Sequence, residues 1–248
     1  TLSVITPEGP YVTLVSYEII SDNNGMADFD EHITLTLYAN NVGVDNAHNV
    51  YASVSIDDPY ISLYVSNVAF GDITSGGSAN SSSNVEFDIA HNVPDGYNAG
   101  FDVLFFSDED QWEGNFNVTI HAPIFTVSNP SFTDTGGDGV WDAGEVINVV
   151  VLLNNEGSAD HYMYPGVHLS ENSADASISE GIDEFFWFYG IESGTSMLAE
   201  FQVIASEDAN MGTEVTFTAY ATEMNCEEDC IESEPLSFTF TIGLPFDY

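Results

Sequence analysis

The chain is written twice. Residues 24–43 (NGMADFDEHITLTLYANNVG) align without gaps on residues 138–157 (DGVWDAGEVINVVVLLNNEG), with Glu31 falling on Glu145 and Gly43 on Gly157, a constant offset of 114. Farther along, AFGDITSG corresponds to FYGIESG, VEFDIA to AEFQVIA, and VPDGYNAGFDVLFF to ANMGTEVTFTAY, and each copy closes on a similar segment, FNVTIHAP and FTFTIGLP. A repeat of this length is long enough to be a domain. The sequence therefore predicts two domains, 1–123 and 124–248.

Inside each copy apolar and polar residues alternate with period two. ITLTLYA, VYASVSI, VEFDIA, GFDVLFF and NFNVTIH are rich in β-branched and aromatic residues and read as half-buried strands. Turn residues separate them, as in NNVG, DDP, TSGGS, VPDG and DEDQ. No window has a helical period. The fold class is all-β, two antiparallel β-sandwiches of about seven strands each.

Composition narrows the function. The 248 residues include 41 Asp and Glu but no Lys or Arg, for a net charge of −41. Without these cations the chain cannot neutralise phosphates, so nucleic acid is excluded as a partner, and an anionic membrane surface repels it. No apolar run is long enough for a membrane span. The 44% hydrophobic content supports a real core in spite of the charge.

The strongest chemical signal opens each repeat. Residues 134–145, DTGGDGVWDAGE, place Asp134, Asp138 and Asp142 at positions 1, 5 and 9 of an EF-hand-like calcium loop, Gly139 at 6, the Val140 carbonyl at 7 and Glu145 at 12. Gly136 departs from the pattern at position 3. In the first repeat the corresponding ligands are Asp22, Asn24, Met26 (by its carbonyl), Asp28 and Glu31, with position 1 lost to Ile20. Strand-like flanks predict loops mounted between β-strands, and Ca2+ as a structural cofactor that relieves repulsion among clustered carboxylates.

Other residues read more plainly. Cys226 and Cys230, in CEEDC, fit a local disulfide of an oxidising compartment. Surface or strand-end positions account for the six histidines, and no nucleophile motif accompanies them, so no catalytic residue is assigned and the chain is read as a non-enzyme. The run EFFWFYG (184–190) reads as a buried strand, in the core or between subunits; its alternative is a carbohydrate-stacking platform around Trp187.

The order DGxxDxGE, a strand ending in NNxG, DDPYISLYVSNVAFGDITSG, VPDGYNAGFDVLFF and FNVTIHAP resembles the Ig-like modules of secreted gingipain-like cysteine peptidases and other type IX secretion cargo, over most of residues 15–123 and less closely over 127–245. The resemblance implies two tandem Ig-like sandwiches, non-catalytic and located outside the cell or on its surface. Peptidases of that family cut after Lys or Arg, so a protease-resistant fragment of a longer precursor would contain neither. The functional expectation is a calcium-stabilised structural subunit that self-assembles head to tail into a homopolymeric surface filament, its short terminal segments adding strands to a neighbour. The alternative is an adhesin or carbohydrate-binding module with glycans as partners.

Overall fold

The computed structural model describes residues 7–20, 24–179, 184–226 and 229–244. They are built from strands and turns alone, and among them no helix is long and apolar enough to cross a membrane. The chain divides into two compact units, Thr1–His121 and Ala122–Tyr248.

The first unit holds β1 (Val12–Ile19), β2 (Ala27–Asp28), β3 (His32–Asn41), β4 (Ala47–Ser55), β5 (Ile61–Val65), β6 (Asn67–Ile73), β7 (Ser78–Asn80), β8 (Val85–Ile89), β9 (Tyr97–Phe106) and β10 (Gln111–His121). One sheet has the order β1-β3-β8-β5 with β7 also on β3, and the other β2-β10-β9-β4-β6. The period-two pattern sends Ile33, Leu35, Leu37, Phe87, Phe101, Phe105 and Ile120 to full burial. Phe87 and Phe101, one from each sheet, meet with ring centroids 5.1 Å apart, so the core lies between the sheets.

The second unit holds β11 (Phe125–Asp134), β12 (Val146–Asn155), β13 (Pro165–Glu171), β14 (Ala176–Ile178), β15 (Phe185–Trp187), β16 (Ser196–Ala205), β17 (Glu214–Glu223) and β18 (Leu236–Thr241). Its sheets run β11-β12-β16-β14 and β15-β13-β17-β18. Phe132 and Phe240 join them edge to face at 4.9 Å, and Trp141 is wholly buried in the same core. With ten and eight strands among the described residues, both units exceed the expected seven, because strands of two or three residues carry no readable period. One pairing is parallel, β2 on β10, where the pattern predicts antiparallel sheets throughout.

The NNxG segments explain part of the likeness between the units. Asn41 is buried, and its Oδ1 accepts from the N–H groups of Tyr11 (3.0 Å) and Gly43 (3.0 Å) while its Nδ2 donates to the carbonyls of Asp45 (2.8 Å) and Ile73 (3.0 Å). Asn155 repeats this, accepting from Ile124 (3.1 Å) and Gly157 (3.1 Å) and donating to Ala159 (2.8 Å). The incoming chain crosses so closely that a Cβ on Gly43 or Gly157 would lie 2.2 Å from a backbone carbonyl oxygen. Only glycine fits there. Each amide thus ties the end of one strand to the chain that enters the unit.

Candidate functional site

Two features stand apart from the core, the acidic loops and an aromatic face on the second unit. In the second-unit loop Asp134 ends β11 and Glu145 immediately precedes β12. Asp134 Oδ2 accepts from the N–H groups of Asp138 (2.8 Å) and Gly139 (2.8 Å), and Asp138 Oδ1 from Val140 N–H (3.0 Å). Glu145 Oε1 accepts from Gly136 N–H (2.6 Å) and Oε2 from Asp142 N–H (3.0 Å). The Gly139 amide, with help from that of Asp138, holds the Asp134 carboxyl below the ordinary carboxylate range. Gly136, the departure at position 3, lies directly under the Glu145 carboxylate, and a Cβ there would sit 2.5 Å from Glu145 Oε1, so a side chain at this position would displace that carboxylate from the Gly136 amide.

The first-unit loop repeats half of this frame. Met26 N–H donates to Asn24 Oδ1 (2.8 Å) and Asp28 N–H to Glu31 Oε2 (3.0 Å), each bond 114 residues before its counterpart. Asn24 Nδ2 also donates to Asp28 Oδ2 (2.8 Å), and Asp28 lies on β2. Asp22 falls outside the described residues. The oxygen-only donor set in both loops suits a hard cation such as calcium. Among the described residues, though, no three His, Cys, Asp or Glu side chains converge closely enough to hold a metal ion as they stand. The observed device that holds these carboxylates is the backbone amide frame.

The aromatic run departs from burial on both faces. β15 is an edge strand paired antiparallel to β13, with Gly166 opposite Trp187, Val167 opposite Phe186 and His168 opposite Phe185. Alternation therefore applies: Phe186 packs on the core, 6.2 Å from Phe201, while Phe185 and Trp187 point outward. The Phe185 ring lies over Gly166, where a Cβ would meet it at 2.6 Å. Trp187 is 37% exposed, Tyr164 47% and Tyr189 79%. These three rings pack on one another, Tyr164 to Trp187 at 5.5 Å and Trp187 to Tyr189 at 5.2 Å, both at interplanar angles of 81°. Beside them lies a cleft of about 320 Å³ lined by His168, Glu184, Phe185, Trp187, Thr222 and Asn225.

A buried polar pair anchors this face. His161, expected at a surface or strand end, is fully buried, and its Nε2–H donates to Glu223 Oε1 on β17. Its Nδ1 accepts from Met163 N–H (3.3 Å), which fixes the tautomer. Backbone bonds join His161 to Ile191 in both directions (2.9 and 2.8 Å), and Met224 N–H donates to the Tyr164 carbonyl (3.0 Å). The 161–164 turn is thus fastened to both the 191 turn and the end of β17, and Tyr164 is presented at φ 52°. The sequence carries no local sign of this pair, whose members are 62 residues apart and which has Ala47 at the corresponding site of the first unit.

Cys226 and Cys230 are joined by a disulfide, with Cα atoms 5.7 Å apart, just beyond β17. Trp112 and Trp141 are buried.

No family model matches the sequence, and no curated protein matches it. Among solved structures the chain is similar to red sea bream transglutaminase, at 9% identity and a TM-score of 0.34, over 93% of this chain and 31% of that one. It is also similar to the native conformation of E. coli alpha-2-macroglobulin, at 10% identity and a TM-score of 0.33, over 96% of this chain and 17% of that one. The chain thus spans less than a third of either protein, and likeness at this level carries no inference about activity.

Proposed function

We propose that this chain is a non-catalytic recognition module, a pair of tandem Ig-like sandwiches acting outside the cell, and that it binds glycans through the aromatic face of the second unit. The observation that carries the reading is the set of mutually packed, solvent-facing rings of Tyr164, Trp187 and Tyr189 beside a cleft. Rings that only served the core would turn inward as Phe186 does. Exposed aromatic clusters mark binding surfaces, and Trp and Tyr are the side chains that concentrate binding energy. Edge-to-face packing leaves ring faces open to solvent, which suit the C–H faces of sugars, and Glu184 at the rim accepts from hydroxyl donors.

Structural calcium in the two loops belongs to the same reading, as does an origin in a longer exported precursor. The alternative of a head-to-tail filament rests on the terminal segments 1–10 and 244–248, of which 1–6 and 245–248 lie outside the described residues. The aromatic face is what turns the choice toward recognition.

A glycan array probed with the labelled chain tests the proposal. Selective binding, lost at least tenfold in Trp187→Ala with an unchanged melting temperature, is the expected result. An array that stays silent, or binding indifferent to Trp187, overturns it.

A further inference from the structure

The first unit offers a second outward face with the same two chemical elements, rings and hydrogen-bond acceptors. In the sheet β2-β10-β9-β4-β6 the residues pair across strands in outward rows: Tyr51 with Phe106 and Gln111, then Ser53 with Leu104 and Glu113, then Ser55 with Asp102 and Asn115. Tyr51 is 45% exposed and lies flat on Phe106, with centroids 4.9 Å apart and an interplanar angle of 12°. The next two rows form a groove of about 560 Å³ lined by Ser55, Asp102, Leu104, Glu113 and Asn115. Successive rows are two residues apart, roughly 7 Å, so the ring pair stands at the end of the groove within the length of one or two sugar units.

A comparison of the two units gives this stack a meaning. Gly96 N–H donates to the Ile120 carbonyl (3.0 Å) and Gly212 N–H to the Ile242 carbonyl (2.8 Å), which sets β9 against β17 so that Phe106 corresponds to Thr222. Their strand partners then correspond as Tyr51 to Gly166 and Ala69 to Trp187. One row of one sheet therefore carries outward rings in both units, supplied by the inner strands in the first and by the edge strand in the second. No residue of the row is shared, so the rings are not a remnant of the repeat. Neither set fills the core, where Ala52 and Val167 already stand behind it.

We infer that the outward face of β4, β9 and β10 is a second glycan-binding groove, selective for neutral over anionic oligosaccharides. The inference rests on the glycan reading of the second unit. The exclusion of anionic sugars follows from charge: Asp102 and Glu113 only accept hydrogen bonds, and the chain has no Lys or Arg to neutralise a uronate, sulfate or phosphate. Hydroxyl-rich sugars supply the donors, and their apolar faces lie on the Tyr51–Phe106 stack. The chain then has two sites for one ligand class, and a glycan surface binds it with avidity wherever both sites can engage.

Two-dimensional NMR of the isotopically labelled full chain tests this, with neutral hexasaccharides (cellohexaose, xylohexaose, mannohexaose and maltohexaose) as probes and oligogalacturonate as the anionic control. The expected result is saturable shifts at the amides of Tyr51, Asp102 and Asn115 as well as around Trp187. Tyr51→Ala should abolish the first set and keep the second while the other first-unit amides hold their positions, which excludes misfolding as the cause; Asp102→Asn should weaken the first at least fivefold, and Tyr51→Phe should preserve both. Shifts confined to the Trp187 face overturn the second groove and leave the glycan reading intact. Shifts confined to the first unit overturn the Trp187 assignment instead. No shifts with any neutral probe, or stronger shifts with the anionic control, overturn the inference.

Discussion

At the level of single residues, loop chemistry is set by backbone amides. The carboxylate of Asp134 is held in its ionised form by two N–H donors, so its contribution to stability is complete at neutral pH and is lost as the pH falls. The sign follows from a folded-state pKa that lies below the unfolded one: above the unfolded value both states are ionised and the native preference is complete, and below the folded value it is gone. A carboxyl-detected NMR titration should place the Asp134 midpoint below the model-peptide value of 3.8. The loop should open over the same interval, reported by Trp141, whose Nε1–H donates to the Glu145 carbonyl at 3.1 Å. A midpoint at or above the ordinary value would contradict the amide frame. The spacing DTGGDGVWDAGE made the loop legible in the sequence, because turn-forming glycines and carboxylates have strict positions. It did not anticipate that Gly136 packs under the returning carboxylate of Glu145 and donates its N–H to it.

Among the elements, the strongest constraint is the buried Asn-x-Gly tie. Asn155→Ala strips two N–H groups and one carbonyl of their partners, and Asn41→Ala strips two of each. Each change should cost about 2–4 kcal/mol, since buried backbone groups left unpaired bear the full desolvation penalty. Chemical denaturation of each variant checks this, and a loss below about 1 kcal/mol would mean that water replaces the amide. The long alternating strands β3, β4, β8, β9 and β10 were readable because one face of each is buried. β15 was misleading for a related reason. A continuous aromatic run hides the alternation that an edge strand imposes, and only the pairing to β13 separates Phe186 from Phe185 and Trp187. The His161–Glu223 pair was invisible, since strand pairing rather than sequence proximity brings it together.

For the molecule as a whole, the charge dominates. At −41 with no Lys or Arg, the folded chain gathers negative charge that it cannot offset by ion pairs outside its six histidines. If calcium occupies the loops, millimolar Ca2+ should raise the melting temperature by several degrees beyond what sodium chloride of equal ionic strength gives, and a chelator should reverse it. Calorimetry with the two salts separates specific binding from screening. Equal effects would leave the amide frame as the sole support of the loops.

The row that carries rings in both units has a consequence for how such chains are compared. Column by column, Ala69 against Trp187, Tyr51 against Gly166 and Phe106 against Thr222 score as three unrelated replacements. On the sheet they occupy one corresponding row: where the inner strands of the second unit carry Gly166 and Thr222, its edge strand supplies Trp187. A column-by-column alignment of the two repeats therefore misses a surface feature that recurs on the sheet without recurring at any one position.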